Sequence, residues 1–248
     1  MLNQQQIEQF SNFGFVILRD LLLPEEVKVL QSEFRHAAER EGRNEPFDGK
    51  TGQTISMLGE DTPFYSSLPE DPRFLEPVQQ LFGENVFAFE SNCHRYVGNS
   101  AWHFNDGAPN IHGYGAKFQF PLVSVRADTG ALRFIPGSHK NPLQQELDRY
   151  KPISRRSSKT EQSMNMMDQI PCCVAEVDPG DAVLFDTRIF HCTWGGSSDR
   201  QMSCVSYYHY PETSQELEVM RNMAQLFYRS PTRWNPVQWD EWFSNPND

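Results

Sequence analysis

The sequence predicts a mainly β protein, a sandwich or barrel of short strands with helices at its flanks. From Val86 onward helical periodicity disappears, and short extended runs alternate with turn residues. Many short strands at such spacing are typical of sandwiches and barrels. The runs lie at residues 86–90, 93–97, 115–125, 131–135, 182–186, 189–193 and 201–209. With 248 residues and 18 phenylalanines, the chain is long and aromatic enough to bury a full core between sheets.

The part of the chain before residue 86 carries most of the predicted helices. Residues 3–12 place Ile7 and Phe10 on one helical face, and Gly14 ends this helix. No linker or internal repeat divides the chain, so we expect one domain over residues 1–248. The other elements predicted in this part are a strand at 15–18, a helix from Pro24, a strand at 54–58 and a helix at 74–82 that Gly83 closes.

Two polar stretches interrupt the predicted elements, and we expect them to determine specificity. Residues 41–70 are rich in Gly, Asp and Ser, and a loop this long in a compact domain is often functional. Residues 140–170 contain a predicted helix near 142–150 and the basic run Ser154–Lys159, which is either a mobile surface loop or a basic flap over an anionic substrate. Near the C-terminus we predict a helix at 214–228, followed by a tryptophan-rich tail packed on the domain.

Charge and cysteine content exclude several classes of function. The net charge of −11 argues against binding to nucleic acid or to an acidic membrane, because both need a basic surface. The five cysteines are odd in number and irregularly spaced, which argues against a disulfide framework and for a reducing compartment. The N-terminus does not resemble a signal peptide, and no apolar run reaches the length of a membrane span. We therefore expect a cytoplasmic protein that binds neither nucleic acid nor a membrane, and its oligomeric state stays open.

The segment Asp178–Arg200 has the layout of a site that holds a metal and a carboxylate. A Pro-Gly turn precedes the apolar run Ala182–Phe185, which reads as a strand buried on both faces. His191 follows in a second extended run, two residues before Thr193, so both side chains point to one face. Arg200 supplies a guanidinium nine residues after the histidine.

A second histidine with a nearby carboxylate lies earlier, in the run Ala101–Gly107. His103 and an aspartate at a strand end, with His191 far along the chain, match the arrangement of two histidines and one carboxylate. Such a triad binds Fe(II) on one face and leaves three positions open for a bidentate co-substrate and O2. The separation of 88 residues is compatible with opposite strands of a rolled-up sheet.

Four stretches of the chain, in this order, resemble the phytanoyl-CoA dioxygenase-like branch of the Fe(II)/2-oxoglutarate oxygenases. The opening strand and helix, the pair Trp102-His103, and the last ligand segment from Pro179 to Arg200 are similar to motifs of this family. The run Gly130–Lys140, GALRFIPGSHK, is the most recognisable of the four. The resemblance covers roughly residues 5–210 and rests on the order and spacing of the four motifs together.

The resemblance implies a double-stranded β-helix, a cupin-like jelly roll, with a core at about residues 86–210 and flanking helices at about 1–85 and 211–248. It also implies Fe(II), 2-oxoglutarate and O2 as cofactor and co-substrates, and hydroxylation of an unactivated C–H bond of a small-molecule substrate. On this basis Arg200 and Thr193 bind the distal carboxylate of 2-oxoglutarate, since a planar guanidinium matches a carboxylate bidentately. Lys117 and Gln119 are further candidate contacts of the co-substrate.

One position departs from the family pattern. The family has an acid two residues after the first histidine, where this chain has Asn105, and Asp106 comes third. Either Asn105 bulges and Asp106 reaches the iron, or Asn105 takes the carboxylate position as a weaker, neutral ligand. The second interpretation leaves open a halogenase, another oxidative tailoring enzyme, or a catalytically disabled binding protein.

The remaining candidates each have a structural alternative. His112 and Tyr114 either line the substrate pocket or only shape their glycine-rich loop. Arg133 and Arg188 either hold an anionic group of the substrate or form surface salt bridges. We assign a structural role to His139 in its turn, to Cys192 in the core, and to the packed pair Cys172-Cys173.

Overall fold

The computed structural model describes residues 1–41, 52–57, 59–95, 98–104, 115–148, 171–196 and 200–218. These residues form two antiparallel sheets, five α-helices and a further helical stretch at 214–218. The helices are α1 (Gln4–Phe13), α2 (Pro24–Arg40), α3 (Pro63–Ser67), α4 (Pro72–Phe82) and α5 (Leu143–Asp148). The strands are β1 (Phe15–Leu18), β2 (Gln53–Ser56), β3 (Val86–Arg95), β4 (Gly98–His103), β5 (Gly115–Pro121), β6 (Leu132–Phe134), β7 (Cys173–Ala175), β8 (Ala182–Asp186), β9 (His191–Gly196) and β10 (Gln201–His209).

The strand order confirms the predicted double-stranded β-helix. The large sheet has the order β1-β8-β5-β10-β3-β2, and the small sheet has the order β4-β9-β6-β7. All neighbouring strands pair antiparallel. From β3 to β10 the chain passes repeatedly between the two sheets, so residues distant in sequence meet inside the roll.

Two apolar layers hold the large sheet. One lies between its outer face and the helices, and includes Leu30, Phe74 and Phe118. The other fills part of the interior of the roll, where Val183 and Phe185 of β8 pack with residues of the small sheet. Strand β8 is buried along its whole length because it carries apolar side chains on both faces, as its continuous apolar run predicts.

Several predicted elements are confirmed, and others need correction. β1, β8 and β10 have the predicted bounds, and α1 and α4 end at Gly14 and Gly83 as expected. The two runs predicted at 86–90 and 93–97 form one strand, β3. In the predicted loop at 41–70, the strand expected at 54–58 is β2 at Gln53–Ser56, and α3 and a short 3-10 helix are further ordered elements.

The N-terminal part contributes more than helices. Strands β1 and β2 lie at the two edges of the large sheet, so this part completes the roll on both sides.

The prediction that Cys172 and Cys173 are packed is wrong for Cys173, which is exposed because β7 is an edge strand of the small sheet. The residues from 214 to 218 are helical, whereas the tryptophan-rich tail and the basic run Ser154–Lys159 lie outside the described residues. Within the described ranges, no helix has the length and apolar character needed to cross a membrane.

The buried carboxylate Asp181 explains the Pro-Gly-Asp motif. Asp181 accepts hydrogen bonds from the Arg19 guanidinium at 2.6 Å and from the backbone N–H of Asp20 and Asp178 at 3.1 and 3.0 Å. The backbone N–H of Leu22 donates to the carbonyl of Gly180 at 2.9 Å. Through these hydrogen bonds the motif holds the connection between β1 and α2 against the turn that precedes β8.

Gly14 closes α1 at a place where a side chain does not fit. Its φ is +85°, and a Cβ would lie 2.6 Å from Nδ1 of the buried His139 and 3.0 Å from Cδ1 of Ile189. The imidazole of His139 is held in place because its Nε2 donates to the carbonyl of Ser11 at 3.1 Å. His139 therefore has the structural role that the sequence predicts.

We expect Gly14→Ala to destabilise the fold by about 2–5 kcal/mol, of which about 1–2 kcal/mol is the left-handed backbone and about 1–3 kcal/mol is overpacking against His139. Urea unfolding of purified protein measures this cost. The matched control is Gly137→Ala, at φ +77° in the same junction, where the nearest atom of the described residues is a carbonyl oxygen at an ordinary 3.6 Å. Equal costs for the two substitutions would show that packing against His139 contributes nothing.

Candidate active site

His191 begins β9 and is held in one orientation. Its side chain is buried, and its Nδ1 donates to the carbonyl of Ile189 at 2.9 Å. That bond leaves Nε2 as the nitrogen with an available lone pair. Burial is the main reason why the pKa of His191 lies well below its usual range, and the nearby His103 lowers the pKa further. His191 is therefore neutral, which is the form of imidazole that binds a metal.

His103 ends β4 directly opposite His191 in the register of the small sheet. The two ring centroids are 4.2 Å apart, with 48° between the ring planes. A register shift between Ser100 and His103 lets these two residues, three apart in sequence, both pair with β9. The structure thus brings together two imidazoles that are 88 residues apart in the chain.

The carboxylate expected to complete this pair lies outside the described residues. Asn105 and Asp106 follow Phe104, the last described residue after β4, and His112 and Tyr114 belong to the same stretch outside the described residues. Among the described residues no group of three His, Cys, Asp or Glu side chains is arranged to hold a metal. Both histidines are suitable donors for a metal, and His191 is also fixed in orientation. Both alternatives for the third ligand remain predictions.

Thr193 lies on the same face of β9 as His191, as the two-residue spacing predicts. It is buried, and its hydroxyl is 2.9 Å from the hydroxyl of Ser100 on β4. Ser100 also accepts a hydrogen bond from the Thr193 backbone N–H at 2.8 Å. Sequence reasoning missed Ser100, because nothing in a polar residue three positions before His103 indicates that it holds a threonine on another strand.

Arg200 is buried to 3% exposure directly before β10. Its Nε donates to the carbonyl of Gly130 at 2.8 Å. Burying a guanidinium is costly unless hydrogen bonds or an anion compensate for the lost hydration. A buried arginine beside the small sheet has the chemistry expected for binding a carboxylate inside the roll.

Lys117 and Gln119 face the two histidines from the large sheet. On β5, Lys117 is paired with Phe185 and Gln119 with Val183, and both partners belong to the interior apolar cluster. Residues directly opposite each other in a sheet share a face, so Lys117 and Gln119 also point inward. The Lys117 charge contributes to the lowered pKa of His191.

Arg133 and Arg188 have other partners. Arg133 is opposite Cys192, which alternates to the face away from His191, and it donates to the carbonyl of Ala127 at 2.9 Å. Cys192 itself is buried in a small apolar cluster, as predicted. Arg188 forms two hydrogen bonds with the buried carboxylate of Asp186, at 2.9 and 2.6 Å.

The interior face of the large sheet changes from apolar to polar across its width, a feature that the sequence did not reveal. Starting from Val183 on β8, the residues opposite one another in register define a polar row, Gln119, Cys204, Asn92 and Ser56. Within it, the Cys204 thiol donates to Oδ1 of Asn92 at 3.0 Å. Oε1 of Gln119 is buried and has no hydrogen-bond partner in the described part of the chain.

His94 extends this polar surface toward the open edge of the sheet. It is opposite Met202 and Thr54 in register, and its Nδ1 lies 3.1 Å from the hydroxyl of Thr54. The Thr54 residue is exposed on the edge strand β2. A path of hydrogen-bonding groups therefore leads from the surface to the interior.

Sequence comparison relates the chain to two dioxygenases. It is 24% identical over 157 residues to ectoine dioxygenase of Bordetella bronchiseptica, covering 56% of this chain and 50% of that protein. It is 26% identical over 158 residues to 2-aminoethylphosphonate dioxygenase of an uncultured bacterium, covering 60% and 56%. The chain therefore matches about half the length of these curated relatives.

Solved structures share the fold over nearly the whole chain. HygX of Streptomyces hygroscopicus, crystallised with nickel and 2-oxoglutarate, superposes with a TM-score of 0.63 at 19% identity, covering 87% of this chain and 94% of HygX. The non-haem α-ketoglutarate-dependent epimerase SnoN of nogalamycin biosynthesis gives a TM-score of 0.62 at 16% identity, with 86% and 87% covered. The family model described as phytanoyl-CoA dioxygenase (PhyH) matches residues 10–202, so most of the chain, including both paired histidines and Arg200, belongs to the phytanoyl-CoA dioxygenase family.

Proposed function

We propose that this protein is a non-haem Fe(II)/2-oxoglutarate-dependent oxygenase that hydroxylates a small molecule. The observation that carries the proposal is the pairing of His103 and His191 across two strands, with His191 fixed and neutral. Two imidazoles and a carboxylate are the ligand set of the non-haem Fe(II) oxygenases. Asp106 is our candidate for the carboxylate.

The iron would supply the activation of O2, so that one oxygen atom enters succinate, formed with CO2 from 2-oxoglutarate, and the other enters the product alcohol. The chain's own residues position the participants. The carbonyl of Ile189 keeps the Nδ1 proton on His191 and so presents Nε2 to the metal. Phe185, whose ring centroid is 5.1 Å from that of His191, excludes water from one side of the imidazole.

The co-substrate would lie between the two sheets. Arg200 and the Thr193 hydroxyl would bind its distal carboxylate, the arginine because it is buried and its guanidinium can form two parallel hydrogen bonds. Lys117 and Gln119, on the facing sheet, would contact the co-substrate from the other side. Burial strengthens these charge-assisted hydrogen bonds, since little water competes for the donors.

The polar row and His94 favour a small hydrophilic substrate over a long acyl chain. An apolar chain next to Gln119 would leave its buried Oε1 without a hydrogen-bond partner, at a cost of about 1–3 kcal/mol. Two relatives are named for ectoine and 2-aminoethylphosphonate, and one HygX structure holds hygromycin B.

The five cysteines, all free, agree with the reducing, cytoplasmic location that we propose.

The test is release of succinate from 2-oxoglutarate in the presence of Fe(II), O2 and candidate substrates. We expect stimulation by at least one of ectoine, 2-aminoethylphosphonate and hygromycin B, and none by phytanoyl-CoA. Stimulation by the thioester alone would contradict the hydrophilic substrate class. Failure to bind iron, with no succinate formed, would contradict the oxygenase and favour the disabled binding protein that Asn105 leaves open. Chloride in the product would indicate a halogenase.

A further inference from the structure

We propose that Gly130 positions Arg200, and that the missing side chain of this glycine determines where the co-substrate carboxylate binds. The inference rests on the proposed function, because it takes Arg200 to be the residue that binds 2-oxoglutarate. Gly130 touches neither metal nor co-substrate in this proposal, so it is a positioning residue. Gly130 is the first glycine of the GALRFIPGSHK motif, which thereby acquires a role in the site.

The backbone of Gly130 fixes the plane of the guanidinium. Its carbonyl accepts a hydrogen bond from Nε of Arg200 at 2.8 Å, and this bond is buried. Because Nε is engaged, the guanidinium edge that a carboxylate can bind bidentately is the one formed by the two terminal nitrogens. A single backbone oxygen thus sets which edge of Arg200 is presented to an anion.

The space normally filled by a Cβ at this position is occupied by Arg200. A Cβ on Gly130 would lie 2.6 Å from Nε of Arg200 and 3.0 Å from Cα of Gly196, and it would also overlap Cδ of the arginine. The φ of Gly130 is +95°, which disfavours any other residue on backbone grounds as well. The guanidinium would have to leave its present place, and its burial leaves little room for that.

Hydrogen bonds and a backbone contact with β9 hold the turn that carries Gly130 in place. The backbone N–H of Arg126 donates to the Thr129 hydroxyl at 2.8 Å, and the N–H of Ala131 donates to the Arg126 carbonyl at 3.0 Å. On the opposite strand Gly195, at φ +67°, has no space for a Cβ because the Asp128 carbonyl occupies it. The turn and the end of β9 are therefore in direct backbone contact, so Gly130 cannot move away from an added methyl group without displacing the strand.

The experiment compares Gly130→Ala with wild type in two binding measurements on the Ni(II)-loaded protein under conditions without turnover. We expect the Kd for 2-oxoglutarate, measured by calorimetry, to rise roughly tenfold or more, because the bidentate edge of Arg200 is displaced. The Kd for Ni(II) should change less than about threefold, since His103 and His191 lie at the other end of β9.

Gly98→Ala is the matched control. Gly98 lies on β4 of the same small sheet at φ +81°, and a Cβ there would meet no atom of the described residues within 4 Å. This substitution carries the backbone penalty without the contact with Arg200, so we expect it to leave the Kd for 2-oxoglutarate within about threefold of wild type. Equal 2-oxoglutarate affinity in wild type and Gly130→Ala would overturn the inference, as would an equal loss in both glycine variants.

A double variant separates positioning from general loss of stability. In an Arg200→Ala background, Gly130→Ala should cause no further loss of 2-oxoglutarate affinity, and its effect on the melting temperature should shrink because the overlapping side chain is gone. An undiminished effect in that background would overturn the inference, including where the single variant folds poorly. If wild type itself binds Ni(II) but not 2-oxoglutarate, the proposed function fails.

Discussion

His191→Ala is expected to lower the affinity for Fe(II) by more than about 100-fold and to abolish succinate formation. Loss of a residue that only supports a metal ligand costs about 10- to 100-fold in metal affinity, and loss of a ligand costs more. The side chain of His191 is fixed by the Ile189 carbonyl and paired with His103, so no other described imidazole can take its place without breaking the register of β9. Equilibrium dialysis with Fe(II) under anaerobic conditions measures the affinity directly.

The matched control is His139→Ala, which removes another buried imidazole from a site between α1 and β9. We expect this control to lose stability but to retain Fe(II) affinity within about threefold, because its ring bonds to the Ser11 carbonyl and not to the histidine pair. Retention of iron by folded His191→Ala protein would remove His191 from the ligand set. It would also leave the proposed function without its principal support.

The segment from Asp178 to Arg200 was the part of the site most accessible to sequence reasoning. The apolar run Ala182–Phe185 predicts a strand buried on both faces, and β8 is such a strand. The two-residue spacing of His191 and Thr193 fixes their common face, because side chains in a strand alternate. Local periodicity carries this information without any knowledge of the partners.

The predictions failed where they depended on which residues pair across neighbouring strands, because the sequence does not show these pairs. The pair Ser91-Asn92 looks like a break between strands, yet β3 continues through it, because Asn92 is paired with Cys204 inside a roll whose wall is polar there. Turn propensity was overridden by tertiary contacts. The face of Arg133 could not be predicted either, since β6 has only three residues and its orientation follows from pairing with β9.

The same reason explains why Gly130 was recognised as part of a motif but not as part of the site. Glycine at a position signals only that a side chain is absent or that φ is positive. What fills the space is a residue 70 positions later, and only the closure of the roll brings Arg200 there. Sequence spacing thus predicts which groups share a face, whereas the register of the two sheets decides which groups meet.

Arg200→Ala is expected to weaken 2-oxoglutarate binding by about 2–5 kcal/mol, or about 30- to 5,000-fold in Kd, which is the cost of truncating one partner of a buried charge pair. The affinity for Fe(II) should remain within about threefold of wild type, because Arg200 lies beyond the far end of β9 from the histidine pair. Calorimetric titration of the Ni(II)-loaded protein with 2-oxoglutarate measures the first effect, and anaerobic dialysis with Fe(II) measures the second.

Arg200→Lys is the control that separates charge from geometry. Lysine retains the positive charge but has neither the Nε donor that Gly130 accepts nor the planar fork that binds a carboxylate bidentately. We expect its Kd for 2-oxoglutarate to lie between those of wild type and Arg200→Ala. If Arg200→Ala binds 2-oxoglutarate as tightly as wild type, the distal carboxylate is held elsewhere, and Lys117 on the facing sheet becomes the remaining described cation with an inward-facing side chain in the interior.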